Sequence, residues 1–232
     1  MAIRKKNILG QISGKHGNTV TRIRYGKEIV YALPDKVKVS KSKESKAARS
    51  KFGMTVRFAK FINSISPLSV IWALAKIPGT NSYQKLIKHN VKHTGEDGLT
   101  INNIITPGGF FFLAEDFSFN KDEFQFSIDI NNDILSNPLT FPIKLYAVLY
   151  FHQPKGKKCR PFILSSINHE ITAAMSDKNI SIELHLNSLQ RDFAPQYNNC
   201  TIYLALSYVK IGSKKTIWSC TFAKEINLSL NE

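Results

Sequence analysis

EFQFSIDI, residues 123–130, is the stretch whose reading decides the fold. Phe124, Phe126, Ile128 and Ile130 alternate with Gln125, Ser127 and Asp129. A period of two is that of a strand with one buried and one wetted face. Working outward from it, GFFFLAEDF (109–117) reads as an apolar strand, and FPIKLYAVLYF (141–151) as a longer one, mostly buried. Further strands are expected at RPFILSSI (160–167), ISIELHLN (180–187), CTIYLALSYVKI (200–211) and TIWSCTFAKEI (216–226). Turn residues separate them at Asn137-Pro138, Pro154-Lys155-Gly156, Ser176 to Asn179 and Gly212-Ser213,. About seven short strands at this spacing predict an antiparallel, immunoglobulin-like β-sandwich over 110–232, with VKIGSKKTIW (209–218) as its last hairpin,.

N-terminal to that body the period changes. Between 34 and 93, Ala48, Phe52, Val56, Ala59 and Ile62 recur at three- and four-residue steps, one apolar helical face opposite lysines and arginines,. Ser40 or Ser42 is the expected cap. SPLSVIWALAK starts a second helix, with Ser66 as N-cap and Pro67 at the first helical position,. NSYQKLIKHNVKH gives a third, capped by Thr80 or Asn81,. The polar, glycine-containing stretch 94–109 reads as a linker. The fold class expected is therefore mostly β, with an N-terminal α/β-hairpin module ahead of the sandwich.

Residues 18–33 carry a β-hairpin pattern, with Gly26-Lys27 as a two-residue turn, glycine first,. Residues 1–17 read as an extended basic, glycine-rich arm. Within it, GQISGKHGNTV (10–20) has the glycine and lysine content of a phosphate cradle. It fails that test. Three residues, not four, separate Gly10 from Gly14, and His16 follows Lys15 where a Ser or Thr would hold magnesium,.

Charge divides the chain. Of its 232 residues, 1–93 carry 20 Lys/Arg against three acids (Glu28, Asp35, Glu44), whereas 94–232 carry 12 against 14. The net charge of +15 belongs to the N-terminal third. Such asymmetry points to nucleic acid, an acidic protein surface or an anionic membrane. No secretory h-region follows MAIRKKNILG, and no apolar run approaches the ~20 residues of a membrane span, so a cytoplasmic site of synthesis is expected. Cys159, Cys200 and Cys220 form no paired motif and read as free thiols,.

Catalytic patterns are missing. His89 and His93 stand at helical i, i+4 spacing, but no adjacent Glu or third ligand completes a zinc site,. There is no G-x-S-x-G, and the acidic pairs at 96–97, 115–116 and 122–123 read as solvated turn ends,. The expectation is a non-enzyme without cofactor, metal or small-molecule substrate.

Ile8-Leu9-Gly10, Ser13-Gly14-Lys15, Gly17-Asn18-Thr19-Val20, Leu33-Pro34 and Ala47 to Phe52 together form a pattern of the type ILG…SGK.GN.V followed by a Lys/Arg/Ala/Phe-rich helix. The chain in this respect resembles an uncharacterised domain family of Bacteroidota, in which a small β-sandwich follows. It departs where Lys and Ser replace an Asn-Pro-Arg-Thr helix start, and where His16 replaces a small apolar residue. The resemblance implies architecture and assigns no activity.

The function expected is structural: a subunit of a large assembly, virion-like or similar, that contacts itself or other subunits through its arm and hairpin. The contact residues expected are Gly10, Ser13, Gly14, Lys15, Gly17, Asn18, Arg22 and Arg24. Lys5, Lys6, Lys36, Lys38, Lys41, Lys43, Lys46, Arg49 and Lys51 are expected to meet phosphates or acidic surfaces. The rival expectation is a nucleic-acid-binding protein whose residues 1–93 track phosphate backbones.

Overall fold

A computed structural model describes residues 2–3, 13–24, 26–32, 40–120, 122–130, 142–171, 179–209 and 215–228. The protein is mostly β, with antiparallel sheets, and it divides into two compact units, Met1–Lys46 and Ala47–Glu232.

The first unit is a four-stranded sheet of order β1-β4-β3-β2, where β1 is Ala2–Ile3, β2 Gly14–His16, β3 Thr19–Arg24 and β4 Lys27–Ala32. His16 pairs with Thr19, so Gly17-Asn18 is a two-residue turn. Gly17 takes φ 59°, the positive first position of a type II′ turn,. The Thr19 hydroxyl closes it by donating to the His16 carbonyl at 2.9 Å. The next turn corrects the sequence reading by one residue. Arg24 pairs with Lys27, so Lys27 already belongs to a strand, and Gly26, with φ 70°, comes second in the turn. The extended arm is corrected as well, because β1 and β2 are strands of the chain's own sheet. Gly10, Lys5, Lys6, Lys36 and Lys38 lie outside the described residues.

The second unit is built on a five-stranded sheet. Its strands are β7 (Ile143–Pro154), β8 (Phe162–Ile171), β10 (Tyr197–Val209), β11 (Thr216–Trp218) and β12 (Phe222–Asn227). The order is β11-β10-β7-β8, with β12 also pairing β10. TIWSCTFAKEI thus makes two strands rather than one. Between them Ser219 is fully buried, and its hydroxyl accepts from the Leu206 amide at 2.8 Å, which breaks the run. A three-stranded sheet of order β5-β6-β9 comprises β5 (Phe112–Asn120), β6 (Glu123–Ile130) and β9 (Asn179–His185). β5 bulges between Glu115 and Ser118, where Asp116 takes φ 54° and accepts from the Ser127 hydroxyl at 3.0 Å,.

Both faces of the five-stranded sheet are apolar, which explains the unbroken runs in β7 and β10. Leu145, Ala147, Leu149 and Phe151 alternate with Tyr146, Val148 and Tyr150 along β7. The first set joins Ile202 and Leu204 of β10 and Phe124, Phe126 and Ile128 of β6 in one core. The second set packs with Tyr203, Ala205 and three helices in another. Those helices are α1 (Lys43–Ser64), α2 (Ser66–Leu74) and α3 (Ser82–Asn90). A fourth, α4 (Ser188–Phe193), lies between β9 and β10 with a capping box between Asn187 and Gln190,.

The buried stripe of α1 is Thr55, Phe58, Ala59 and Ile62; of the face expected, Ala59 and Ile62 are buried, Val56 is half-buried, and Ala48 and Phe52 are exposed, Phe52 at 52%. Thr55 hides the true stripe in the sequence. Its hydroxyl is satisfied by the Lys51 carbonyl and the Thr94 hydroxyl, each at 3.0 Å. The Ser42 hydroxyl accepts from the Ser45 amide, and Asn81 caps α3 through the Gln84 amide. In α2 the cap position falls on Ile65, one residue before the expected Ser66.

The segment read as a linker, 94–109, is part of the second unit. Leu99, Asn103, Ile105 and Thr106 are buried. The Asn103 side-chain amide donates to Asn90 Oδ1 and to Thr94 Oγ1, both at 3.1 Å, and the Trp72 indole donates to the Ile105 carbonyl at 2.8 Å. The Thr221 hydroxyl accepts from the amides of Ile105 and Thr106 at 2.9 and 3.0 Å. Thr94, Asn103 and Thr106 are internal partners there, while Glu96, Asp97 and Asn102 are exposed,.

Candidate functional site

Two features stand out, one in each unit. In the first unit, side chains alternate across the sheet. The pairs Lys15↔Val20, Val20↔Tyr31, Arg22↔Ile29 and Arg24↔Lys27 therefore place Lys15, Arg22, Arg24 and Lys27 on one face with Tyr31. All four cations are exposed, and the Arg22 guanidinium lies 5.8 Å from the Tyr31 ring centroid,. Arg24 and Lys27 stand directly opposite each other across the hairpin, two like charges at one register position,.

Of the residues singled out from sequence, Lys15, Arg22 and Arg24 are brought together on this face. Gly14 lies in β2 on the opposite face, Ser13 just precedes it, and Gly17 and Asn18 form the turn. Lys43, Lys46 and Arg49 are exposed along α1, Lys41 is exposed before it, and Lys51 is half-buried. Lys27 was missed, and Tyr31, although an aromatic available for base stacking, was not placed among the contact residues. The signal was present in the alternation of β4, but it needed the register of the hairpin.

No apolar side chain between 13 and 32 is buried among the described residues; only Thr21 is, at 6% exposure. Val20, Ile29, Val30 and Tyr31 are half-buried and Ile23 is 43% exposed. A sheet normally buries one face against another layer.

The second feature is a cleft of about 440 Å³ in the second unit. The C-terminal end of β7 supplies Tyr150 and His152, the turn 95–100 supplies Glu96 and Asp97, and Met54 and Phe162 contribute apolar wall. Tyr150 and His152 stack with centroids 4.7 Å apart. His152 Nε2 lies 3.4 Å from Glu225 Oε1 and 3.3 Å from Thr201 Oγ1. Burial pushes the His152 imidazole below its ordinary pKa, with the Glu225 carboxylate acting the other way,. Two backbone conformations are unusual. Gly98 has φ 150°, and a Cβ there would stand 2.3 Å from the Tyr150 hydroxyl. Gln153, on the cleft wall, takes φ 56°, a costly value for a non-glycine residue,. Pairing of β7 with β8 and β10 fixes this end of the strand, so the cleft is set by the sheet. Sequence reading left Glu96-Asp97 as a solvated pair, because nothing local reveals that Tyr150 and Phe162 stand beside it.

Glu123, Glu183 and His185 also gather on β6 and β9, their ligand atoms within 4.8 Å of one another. His185 Nδ1 meets Glu123 Oε2 at 2.9 Å, and the Gln125 side-chain amide donates to Glu123 Oε1 at 2.7 Å. The Glu123 oxygens are thus already engaged within the sheet. His89 lies in α3, 5.8 Å from the Trp72 ring, and His93 lies past the helix end. Burial and neighbouring lysines hold both imidazoles below their ordinary pKa. Among the described residues no helix is long and apolar enough to cross a membrane.

No protein-family model matches the chain, and no curated protein matches it. Against solved structures, 53% of the chain aligns with 16% of a β-glucosidase from Kluyveromyces marxianus, at 17% identity and a TM-score of 0.16. The chain thus spans about a sixth of that enzyme's length, and at that TM-score the likeness carries no argument about fold or chemistry.

Proposed function

We propose that this protein is a non-enzymatic assembly subunit whose basic N-terminal sheet docks on a neighbouring subunit of a large particle, virion-like or similar. One observation carries the reading. The first unit has strands but no buried apolar side chain among its described residues, and one face presents four cations with Tyr31. Such a sheet gains a covering layer by docking. An anionic or carbonyl-rich protein surface is complementary to the exposed cations of this face. The immunoglobulin-like reading of the second unit belongs to this proposal as its rigid body, as does the resemblance to the Bacteroidota family.

A photo-crosslinking residue at Tyr31 of the full chain tests it. Irradiation of the purified protein is expected to give a species of doubled mass. A monomer band alone at every concentration would contradict the reading.

The second reading is phosphate-backbone binding by the same face, favoured by the row of cations beside one aromatic ring. It predicts that the same crosslinker captures added RNA or DNA in place of a second chain. It also predicts affinity that falls steeply with salt.

A further inference from the structure

The cleft beside Tyr150 has the chemistry of a receptor for one cationic side chain. Its walls are apolar and aromatic: Met54, Leu99, Phe162 and the Tyr150–His152 stack. Its rim carries two adjacent carboxylates, Glu96 and Asp97, both exposed, and among the described residues neither is in an ion pair. No acid occurs in sequence between Glu44 and Glu96, and the Glu225 carboxylate lies 3.4 Å from His152 of the cleft lining. An apolar slot ending in carboxylates suits an alkyl stem with a cationic head. The Phe162 ring already takes a guanidinium, that of Arg57, 5.6 Å from its centroid, so this wall is chemically suited to such a group,.

Opposing charge narrows the ligand. Lys155, Lys157, Lys158 and Arg160 are exposed on the loop joining β7 to β8. They oppose a cationic partner everywhere but at the Glu96–Asp97 rim, so the attraction is confined to the one side chain that reaches the two carboxylates. One strained backbone position lies on the cleft wall, Gln153 at φ 56°. Strain of this kind tends to collect at ligand clamps.

We propose that the cleft receives one arginine or lysine side chain from the basic N-terminal unit, residues 1–46, of a second copy of this chain. The stem lies along Met54 and Phe162, and the head lies between the Glu96 and Asp97 carboxylates. Charge complementarity carries the choice of occupant: residues 1–46 hold twelve Lys/Arg against three acids. The inference rests on the assembly reading and names the receiving surface for it.

Self-association of the full chain is measured by sedimentation for three proteins. They are the wild type, Glu96→Gln/Asp97→Asn, and the charge-retaining Glu96→Asp/Asp97→Glu. The amide variant is expected to associate about tenfold more weakly, with an unchanged urea midpoint, and the charge-retaining variant to stay within about threefold of wild type. An amide variant that associates like wild type, while Arg22→Gln/Arg24→Gln abolishes association, overturns the cleft as receptor and leaves the assembly reading intact. A wild type that is monomeric throughout overturns both.

Discussion

Replacing Lys85 with methionine tests how α2 is terminated. α2 ends without a glycine cap and without a basic residue in its last turn. Lys85 of α3 supplies the missing cation. It is only 8% exposed, and its Nζ donates to the carbonyls of Trp72 and Ala73 at 3.1 Å and of Ala75 at 2.8 Å. Gly79 makes room for the stem, since a Cβ there would stand 2.6 Å from Lys85 Cγ. Methionine keeps most of the stem and removes the donor. Hydrogen bonds to a charged group contribute about 1.5–3 kcal/mol net, and an orphaned buried carbonyl costs about 1–3 kcal/mol. The lost helix-end cation adds up to about 2 kcal/mol. Relief of the ammonium's desolvation offsets several kcal/mol of that sum. The net expected loss is about 3 kcal/mol. With a urea slope of about 2–3 kcal/mol/M, the midpoint falls by about 1–1.5 M. Lys85→Arg keeps the charge and is expected to recover part of the loss, limited by the tight slot at Gly79. A Lys85→Met unfolding free energy within about 0.5 kcal/mol of wild type would refute the reasoning.

Gly98→Ala forces the Tyr150 hydroxyl aside and adds the strain of φ 150°, so a loss of about 3 kcal/mol is expected by urea titration; an unchanged midpoint would show that the turn relaxes freely,. Asn103→Ala leaves Asn90 and Thr94 short of a partner and is expected to cost about 2–4 kcal/mol, with new protease cleavage in 94–106 as a second readout,. Acidification has a defined sign. His152 binds its proton less readily folded than unfolded, so the unfolded state takes up more protons below the ordinary histidine value of 6.5. Stability is full above that pH and falls as pH drops from it toward the depressed folded value. His89 and His93 act in the same direction. His152→Gln is expected to flatten this dependence in urea midpoints taken on either side of 6.5, and an unaltered profile would remove His152 from the account.

Much of the second unit is legible from local periodicity. EFQFSIDI alternates because only one face of β6 meets the core, and β7 is apolar throughout because it is covered on both faces,. The three helices announce themselves by caps such as Asn81 and by Pro67. What local patterns miss are the places where polar residues serve long-range packing. Thr55 looked like surface and is buried against Thr94. The 94–109 stretch looked like a linker because Asn103 and Thr106 pair with residues distant in sequence. The capping box at Asn187–Gln190 was readable but short, and it starts a helix of only six residues. The cationic face was half legible. Lys15, Arg22 and Arg24 were found from charge, but their common face depends on the Arg24–Lys27 register, which one residue of turn placement decides,. The cleft was not legible at all, since it joins residues near 54, 97, 150 and 162.

Coverage of the cationic sheet face by protein decides between an assembly subunit and a free monomer. Sedimentation velocity of the full chain over a wide concentration range, beside Lys15→Gln/Arg22→Gln/Arg24→Gln/Lys27→Gln, measures this most directly. Because all four side chains are exposed, the variant should still fold, which a cooperative urea transition verifies,. The wild type is expected to form larger species as concentration rises, and the variant to remain a monomer. Identical sedimentation of the two proteins would contradict the central claim.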